Sequence, residues 1–442
     1  MARKRSASPP SQGWAEWLRS IRAAQASVVA GLTIAVLLFI ANWSGAERKI
    51  ERPIPHQYAT ADSQFVRTMS GLLAPGFVAG NRVTSLVNGD QVFPAMLEAI
   101  RSARHTITFE SYIYWSSHVA KEFTAALAER ARAGVHTHLL LDWAGSQKVS
   151  QDDLKRMREA GVEVVLYRPL RWYNLDRLNH RTHRKLLVVD GRVGFTGGVG
   201  IADQWLGHAQ DRDHWRDSQF RAEGPVVAQL QAAFMDDWFE TKGVVLDGPG
   251  YFPDLDPRGP ALAQALKSSP SGGSASLRLM YLLAIASATR RILIANSYFV
   301  PDGMTVAMLV EARRRGVDVE IVVPGPILDA QVVRRASRST WGPLLEAGVR
   351  IYEYQPTMYH TKLMVVDDVW VSVGSTNLDD RSFRLNQEAN LNVLDAGFGA
   401  EQARVFAEDR ERSRRITLEQ WRHRPVTERL EEWVARAVRR QL

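Results

Sequence analysis

Two similar stretches of sequence, HRKLLVVD at residues 183–190 and HTKLMVVD at residues 360–367, decide how this chain folds. Both follow the pattern H-x-K-x-x-x-x-D, and turns of small residues follow them at 197–198 and 374–375. A single copy would be weak evidence of a site, because the pattern also fits the end of a surface strand. Two copies in matching surroundings predict one active site that is built from two halves of a duplicated chain.

The surroundings of the two copies repeat one order of elements. Strand-like runs alternate with helix-like runs, and glycines end the helix-like runs at Gly134 and Gly161 in the first half and at Gly316 and Gly348 in the second. Matching landmarks lie at similar separations along the chain, which isolated coincidences would not produce. Strands that alternate with helices predict a layered α/β architecture.

Length and composition limit the possible functions. The 442 residues are enough for two or three domains, and the apolar fraction of 45% is enough for large cores. The chain contains no cysteine, which excludes disulfides, thiolate metal sites and cysteine nucleophiles. No acidic cluster has the spacing of metal ligands, so we expect neither a metal nor another cofactor. The net charge of +8 fits an anionic partner, whether lipid headgroup, phosphodiester or nucleic acid.

The N-terminus carries an uncharged and mostly apolar run from Ala23 to Ala46. As a helix this run would be about 36 Å long, enough to cross the hydrocarbon core of a bilayer. We therefore predict a retained transmembrane helix and a single-pass protein of the cell membrane. A cleavable signal is the alternative, because Ser44 and Ala46 are small and suitably spaced. Basic residues are more numerous before the run than after it, which favours the catalytic body outside the cell.

The remaining chain divides at changes of composition. The connection between the halves is rich in Pro, Gly and Ser and is expected to be an exposed linker. We expect the C-terminal helix to pack against the second half, with a membrane-surface helix as the alternative. The predicted segments are a basic N-terminal segment (1–22), the transmembrane helix (23–46), the first half (80–247), the linker (248–273), the second half (274–425) and the C-terminal helix (426–442).

The residue types of the motif suit phosphodiester chemistry. Cleavage without a metal needs a nucleophile, a proton for the leaving alkoxide and fixed positive charge around the phosphoryl oxygens. Histidine can supply the first two and lysine the third. On a strand, His183 and Lys185 lie on one face, as do His360 and Lys362, so all four side chains can enter one pocket. The motif aspartate lies past the strand, where a carboxylate can hold local structure or orient an imidazole.

The paired motifs resemble the HKD signature of the phospholipase D superfamily, over about residues 80–425. The flanking sequence narrows the resemblance to bacterial cardiolipin synthase-like members. The matching stretches are 88–90, 109–114, 183–191, 215–217, 296–301 and 374–379, together with Arg381, Ser382, Asn386 and Glu388. The resemblance implies two duplicated α/β/α sandwich halves that pack with pseudo-twofold symmetry.

The resemblance also implies a two-step transfer of a phosphatidyl group through a phosphohistidine. His183 would be the nucleophile and His360 the general acid and base, with the reverse assignment left open. The two motif lysines would hold the phosphoryl oxygens. The supporting residues implied are Asp190 and Asp367 at the motif ends, Ser375 and Asn377 at the phosphate or its loop, and Glu110, Asp217 and Glu388, which would orient the histidines or only serve structural hydrogen bonds.

The implied substrates are phospholipids in a membrane, with phosphatidylglycerol as the expected donor and no nucleic acid partner. Trp172, Tyr173, Met358 and Tyr359 lie near the motifs and suit acyl-chain contact, although ordinary packing would explain each of them. One residue departs from the family pattern. Gly200 stands where many relatives carry asparagine, so the first half lacks one phosphate contact.

Three other interpretations fit the same motifs. A phospholipase D-type hydrolase would pass the phosphatidyl group to water instead of an alcohol. A superfamily nuclease would also use both motifs, and its nucleic acid substrate would suit a basic chain. A membrane protein with a relict site is the non-enzymatic alternative, which Gly200 favours and the two complete histidine–lysine pairs oppose. The sequence does not predict the oligomeric state.

Overall fold

The computed structural model describes residues 17, 22–23, 25–34, 37, 50–170, 179–269 and 275–437. The chain separates into two units, residues 1–48 with 170–179, and residues 49–169 with 180–442. In the first unit, residues 25–34 are helical and exposed. The rest of the predicted transmembrane helix lies largely outside the described residues. Among those that are described, no helix has both the length and the apolar character needed to span a bilayer.

The second unit is built on a single large sheet. Its strands are β1 (Val78–Val87), β2 (Thr106–Ser111), β3 (His136–Asp142), β4 (Glu163–Tyr167), β5 (Arg181–Thr182), β6 (Leu186–Val189), β7 (Val193–Gly197), β8 (Ser218–Glu223), β9 (Ala261–Ser268), β10 (Arg291–Asn296), β11 (Asp318–Pro324), β12 (Arg350–Tyr354), β13 (Lys362–Val366), β14 (Trp370–Gly374), β15 (Asn386–Leu394) and β16 (Ser413–Ile416).

The strand order shows the duplication. The first half runs β4-β3-β2-β6-β7-β8-β1, and the second continues as β9-β15-β14-β13-β10-β11-β12, with β16 at the far edge. The second series is the first in reverse order, and the halves meet where β1 pairs with β9 in antiparallel fashion. In each half three parallel strands are followed by antiparallel ones that carry the motif. The two motif strands, β6 and β13, are therefore equivalent elements, and the pairing of β5 with β15 joins the segment before the first motif to the second half.

Helices pack on the sheet, and their apolar side chains form the hydrophobic cores together with those of the strands. They are α1 (Ser63–Leu72), α2 (Asn88–Ser102), α3 (His118–Arg132), α4 (Gln151–Glu159), α5 (Val226–Lys242), α6 (Ala275–Ser287), α7 (Gly303–Arg314), α8 (Gln331–Arg338), α9 (Trp341–Glu346), α10 (Asp380–Arg384), α11 (Ala396–Glu411), α12 (Leu418–Arg422) and α13 (Val426–Ala437). Residues of α2 to α4 pack on the first half, and residues of α6, α7 and α9 pack on the second. Residues of α5 and α11 pack in a cluster shared by both halves, which ties the halves together by hydrophobic burial.

The predicted helix ends are confirmed. Gly134 follows α3 with a φ of 88°, and Gly316 follows α7 with a φ of 93°. A left-handed residue after the last helical turn is favourable for glycine, because it has no Cβ to clash with the preceding carbonyl.

The predicted linker over 248–273 is wrong for its middle part. Strand β9 occupies residues 261–268, and most of its side chains are buried. It pairs with β15 along seven residues from Leu262 to Ser268. The Pro- and Gly-rich composition describes the approach to this strand, whereas the strand itself opens the second half, as β1 opens the first.

Candidate active site

The two motif histidines are held by the same backbone contact from the opposite half. The His183 N–H donates to the carbonyl of Gln387 over 2.9 Å, and the His360 N–H donates to the carbonyl of Arg216 over 2.8 Å. Regular motif strands begin only at Leu186 and Lys362, so each histidine lies in an extended segment just before its strand. Each imidazole is therefore placed at the junction between the halves.

Each imidazole also hydrogen-bonds to a carboxylate of the other half. His183 Nδ1 lies 3.0 Å from both oxygens of Glu388, and His360 Nδ1 lies 2.7 Å from Asp217 Oδ2. Asp217 and Glu388 occupy equivalent positions, each two residues before the partner of the last residue in β7 or β14. Because a carboxylate accepts, Nδ1 carries the proton in both rings. Nε2 of His183 is then left for chemistry, and Nε2 of His360 lies 3.1 Å from the Lys362 ammonium. Neither half contains a complete histidine–carboxylate pair, so the two halves make one site.

The two carboxylates are held differently. Ser375 Oγ donates to Glu388 Oε2 over 2.5 Å, and Asn386 Nδ2 donates to Oε1 over 3.3 Å. Asp217 accepts from the Trp205 indole N–H over 2.9 Å. Gly198 occupies the place of Ser375 in the first half, and a Cβ there would come within 2.3 Å of an Asp217 oxygen. Burial alone would raise the pKa of both carboxyls, but the facing histidines and lysines hold both pKa values below their usual range.

Lys185 and Lys362 are buried beside the histidines. The ammonium of each donates to the carbonyl of its own histidine over 2.7 Å. Burial lowers the pKa of Lys185 to about 7, and the charge of Lys362 contributes. Burial also lowers the pKa of Lys362 to about 8. Two buried ammonium groups that repel each other create a strong demand for an anion.

The same charges act on both imidazoles. Burial, against the opposing effect of Glu388 and together with the charges of Lys185 and Lys362, lowers the pKa of His183 to about 4. Burial, Lys362 and Lys185 together lower the pKa of His360. Each lysine therefore influences the histidine of the opposite half, which is expected when all four side chains face one pocket. In the absence of a bound anion the imidazoles favour the neutral form.

The motif aspartates lie at the other end of the motif strands. Asp190 has a φ of 52° in the turn after β6 and accepts from the N–H groups of Arg104, His105 and Thr106 over 2.7–2.9 Å. Asp367 has a φ of 53° after β13 and accepts in the same way from the backbone of residues 289–291. Both carboxylates fix a turn to the start of the neighbouring strand. Of the two roles predicted for the motif aspartate, holding local structure or orienting an imidazole, these contacts fit the first.

Glu110 also lies away from the imidazoles. One of its oxygens accepts from the Thr182 hydroxyl, and the other has no hydrogen bond among the described residues. Burial and the nearby Asp237 raise its pKa well above the usual value. Thr182 and Glu110 lie on the face opposite His183, where Arg184 pairs with Asp237 over 3.2 Å. The prediction that Glu110 orients a histidine is therefore wrong, whereas Asp217 and Glu388 both contact one.

Asn377 supports the loop after β14. Its side-chain oxygen accepts from Ser297 Oγ over 2.8 Å, and its N–H donates to Ser382 Oγ over 3.2 Å. The equivalent Gly200 is packed against Trp205, and a Cβ there would lie 3.1 Å from the indole. The first half thus has glycine where the second half has Asn377, and Trp205 packs against that glycine. The sequence analysis did not predict a role for Trp205. The only signal was that an indole N–H can donate to a buried carboxylate.

Aromatic rings surround the histidines. Tyr112 lies 5.2 Å from His183 between ring centroids, and Trp205, Trp215 and Tyr298 lie 5.5, 5.5 and 6.5 Å from His360. Of the residues predicted for acyl-chain contact, Met358 and Tyr359 are buried in the protein, so this prediction is wrong for them. Trp172 and Tyr173 lie outside the described residues. Across the described ranges, no group of three or more His, Asp or Glu side chains could hold a metal ion.

Comparison with known proteins identifies relatives of this chain. Residues 96–238 and 281–410 each match the family described as "Cardiolipin synthase, PLD-like domain". Cardiolipin synthase A of Pseudomonas putida KT2440 is 37% identical over 355 residues, covering 80% of this chain and 73% of the relative. Cardiolipin synthase 1 of Bacillus cereus is 35% identical over 375 residues, covering 82% and 73%.

A solved structure shares the fold. The phosphatidylserine synthase of Haemophilus influenzae Rd KW20 superposes with a TM-score of 0.65 over 86% of this chain and 100% of that chain, at 15% identity. At this identity the likeness concerns the architecture alone.

Proposed function

Because the chain belongs to the cardiolipin synthase family with duplicated phospholipase D-like domains, and is a phospholipid phosphatidyltransferase, we propose that it joins two phosphatidylglycerol molecules through a phosphohistidine at His183. The observation that carries this proposal is the exchange of carboxylates between the halves, Glu388 to His183 and Asp217 to His360. This exchange gives two imidazoles with distinct partners around one pocket. We further propose that a pseudo-twofold axis relates the halves, which the mirrored strand order supports.

Binding of the donor phosphate depends on the two lysines. The phosphodiester anion lies between Lys185 and Lys362, whose repulsion it relieves. Buried ammonium groups attract an anion more strongly than solvated ones because little water screens them. The bound negative charge offsets the lysines and raises the pKa of both imidazoles relative to the empty site.

In the first step His183 attacks and His360 protonates. Nε2 of His183 forms a bond to phosphorus, and the bond from phosphorus to the headgroup oxygen breaks. The proton on Nε2 of His360 goes to that oxygen, so glycerol leaves as a neutral alcohol. Glu388 stabilises the positive charge that develops on the His183 ring through Nδ1–H, over 3.0 Å.

In the second step His360 accepts a proton instead of donating one. The hydroxyl of the acceptor headgroup gives its proton to His360 and bonds to phosphorus, while the bond between phosphorus and His183 breaks. The shorter carboxylate contact, 2.7 Å from Asp217 to His360, favours the protonated form at His360. The pKa of about 4 at His183 favours a neutral nucleophile there. These two observations support the assignment of roles.

Transfer to an alcohol competes with transfer to water. The histidines are only 8% and 5% exposed, and aromatic rings surround them, which limits the access of bulk water. We therefore propose phosphatidyl transfer as the main reaction and hydrolysis as a side reaction. The nuclease alternative has less support, because the matched relatives are cardiolipin synthases.

We also propose that the uncharged run 23–46 anchors the chain in the cell membrane as a single span. Its composition supports this proposal, and residues 25–34 within it are helical. Such an anchor would keep the pocket close to its lipid substrates.

The test is mass spectrometry of lipids after purified protein is incubated with phosphatidylglycerol, with and without phosphatidylethanolamine. A product with four acyl chains and free glycerol is expected, and the His183→Ala variant serves as the control. Phosphatidic acid as the dominant product would instead establish a hydrolase. Cleavage of single-stranded DNA without any lipid product would establish the nuclease.

A further inference from the structure

Helix α13 carries a stripe of apolar side chains on its outer face. Val426, Leu430, Trp433 and Val434 are 76%, 62%, 69% and 54% exposed. Their spacing of four, three and one places them on one face of a helix with 3.6 residues per turn. Single exposed apolar residues are ordinary on a protein surface, but a continuous stripe that includes tryptophan marks an interaction surface.

The inner face of α13 is fixed to the protein. Ala435 is buried in a small apolar cluster with Val300, Val333 and Ala336, of which the last two belong to α8. Packing on this side determines which face of the helix points outward. The stripe is thus held in place as part of the fold.

All three acidic residues of α13 are paired with arginines. Glu428 and Glu432 bond to Arg338 over 3.2 and 3.5 Å, and Glu431 bonds to Arg335 over 2.9 Å. The carboxylates are therefore neutralised by α8, while the exposed Arg429 borders the stripe. The sequence also contains Arg436 within this helix and Arg439 and Arg440 after it. An apolar stripe with tryptophan and a basic border complements the surface of an anionic bilayer.

The helix also lies close to the active site. Tyr298 packs against the cluster that holds Ala435. The same tyrosine lies 6.5 Å from the ring of His360. Tyr298 therefore joins the apolar cluster beneath α13 to the rings around His360, so the helix lies on the same part of the protein as the catalytic pocket.

We propose that α13 docks the catalytic unit on an anionic lipid surface, with the stripe inserted among the headgroups and the pocket held at their level. This proposal rests on the proposed function only in that the substrate of the pocket is a lipid of the same surface. The proposal gives the C-terminal helix a role at the membrane surface. The packing of this helix on α8 fixes the orientation of the stripe.

The absence of cysteine from the chain allows a direct test. Leu430→Cys and Lys155→Cys each create a single labelling position in the full-length protein, the second on the exposed surface of α4 as a matched control. Each is spin-labelled and reconstituted in vesicles of phosphatidylglycerol and phosphatidylcholine. We expect a water-soluble relaxation reagent to reach the label at 430 about tenfold less than the label at 155, because an interfacial helix buries its apolar face about 5–10 Å deep. Equal access at both positions would overturn the proposal.

The N-terminal run is present in both labelled proteins, so it cannot account for a difference between the two positions. Protection at 430 that persists in detergent, with dipolar broadening between labels, would identify a second copy of the chain as the occupant and would also overturn the proposal. Protection that is equal in vesicles of phosphatidylcholine alone would contradict the charge argument.

Turnover supplies an independent measurement. The double variant Leu430→Ser with Trp433→Ser is expected to lower transfer in bilayer vesicles by about tenfold or more, the order expected when two apolar side chains are lost from an interface. Transfer of phospholipid dispersed in detergent should equal that of the wild type. Loss on both substrates would overturn the docking role. Wild-type protein that transfers neither would contradict the proposed function, while the label measurement would still decide the docking proposal.

Discussion

Nδ1 of His360 lies 2.7 Å from Oδ2 of Asp217, although the two residues come from different halves of a duplicated chain. The reciprocal contact joins His183 and Glu388 over 3.0 Å. Each half thus supplies the histidine of one pair and the carboxylate of the other. Under the proposed function, the reaction would depend on the seam between the halves as much as on the motifs themselves.

The first prediction concerns these carboxylates. Asp217→Asn and Glu388→Gln remove a charge and reverse the donor preference at Nδ1, so we expect kcat to fall by about 10²–10⁴-fold. Steady-state assays with phosphatidylglycerol measure this loss. Glu110→Gln is the matched control, because its buried carboxyl has a raised pKa and contacts Thr182 instead of an imidazole. A Glu110→Gln variant as inactive as Glu388→Gln would argue against the orienting role.

The second prediction separates the roles of the histidines. A donor lipid with a p-nitrophenol headgroup needs no proton for its leaving group, so His360→Ala should still form a labelled phosphoprotein with it. His183→Ala should form none with any donor, because the nucleophile is missing. Gel detection of protein-bound radioactive phosphorus measures both. Labelling in His183→Ala and its loss in His360→Ala would reverse the assignment.

The third prediction is a bell-shaped dependence of kcat/KM on pH. His183, with a pKa of about 4, must lose its proton to attack, so activity should rise with pH on the acid side. Lys185, with a pKa of about 7, must keep its proton to bind phosphate, so activity should fall as pH rises through that value. The lowered pKa of His360 acts in the same direction, since the free enzyme then lacks its proton at high pH.

Lys185→Arg provides the corresponding control, because a guanidinium stays charged throughout this range. We expect the alkaline limb of its pH profile to shift to higher pH or to flatten, whatever the variant does to the maximum rate. An unchanged alkaline limb would assign that limb to another group.

The fourth prediction concerns the motif aspartates. Asp190→Asn keeps a residue type that tolerates a positive φ but loses the charge that accepts three backbone N–H groups. We expect the free energy of unfolding to fall by about 1–3 kcal/mol, with turnover per folded molecule close to that of the wild type. Denaturant unfolding and active-site titration measure the two quantities. Full stability with lost turnover would place Asp190 in the chemistry.

The sequence predicted the elements that repeat locally. The helix-ending glycines and the alternation of strands with helices follow from short patterns, and the two motif copies indicated one shared site. Asp217 and Glu388 were named, from the resemblance to the family, as residues that could orient a histidine. Which histidine each would contact was not predictable, because the exchange between the halves is set by the β1–β9 seam and not by distance along the chain.

The errors have physical causes. Strand β9 has the sequence ALAQALKS, whose Ala, Leu and Gln favour a helix, but pairing with β15 and β1 overrides this preference. Two roles were left open for Glu110, orienting a histidine or structural hydrogen bonding. Its contact with Thr182 and its pairing with β6 fit the second. The role of Trp205 depends on a contact with Asp217, twelve residues away, which no local pattern predicts.

Strands β1 and β9, which are equivalent elements of the two halves, pair with each other at the seam. A polypeptide with only one such half would therefore have to associate with an identical copy before either imidazole gained its acceptor. Fusion into a single chain removes that concentration dependence. It also frees the two motifs to diverge: Ser375 donates to Glu388 on one side, whereas on the other Gly198 stands in the place of Ser375 and leaves no room for a side chain beside Asp217.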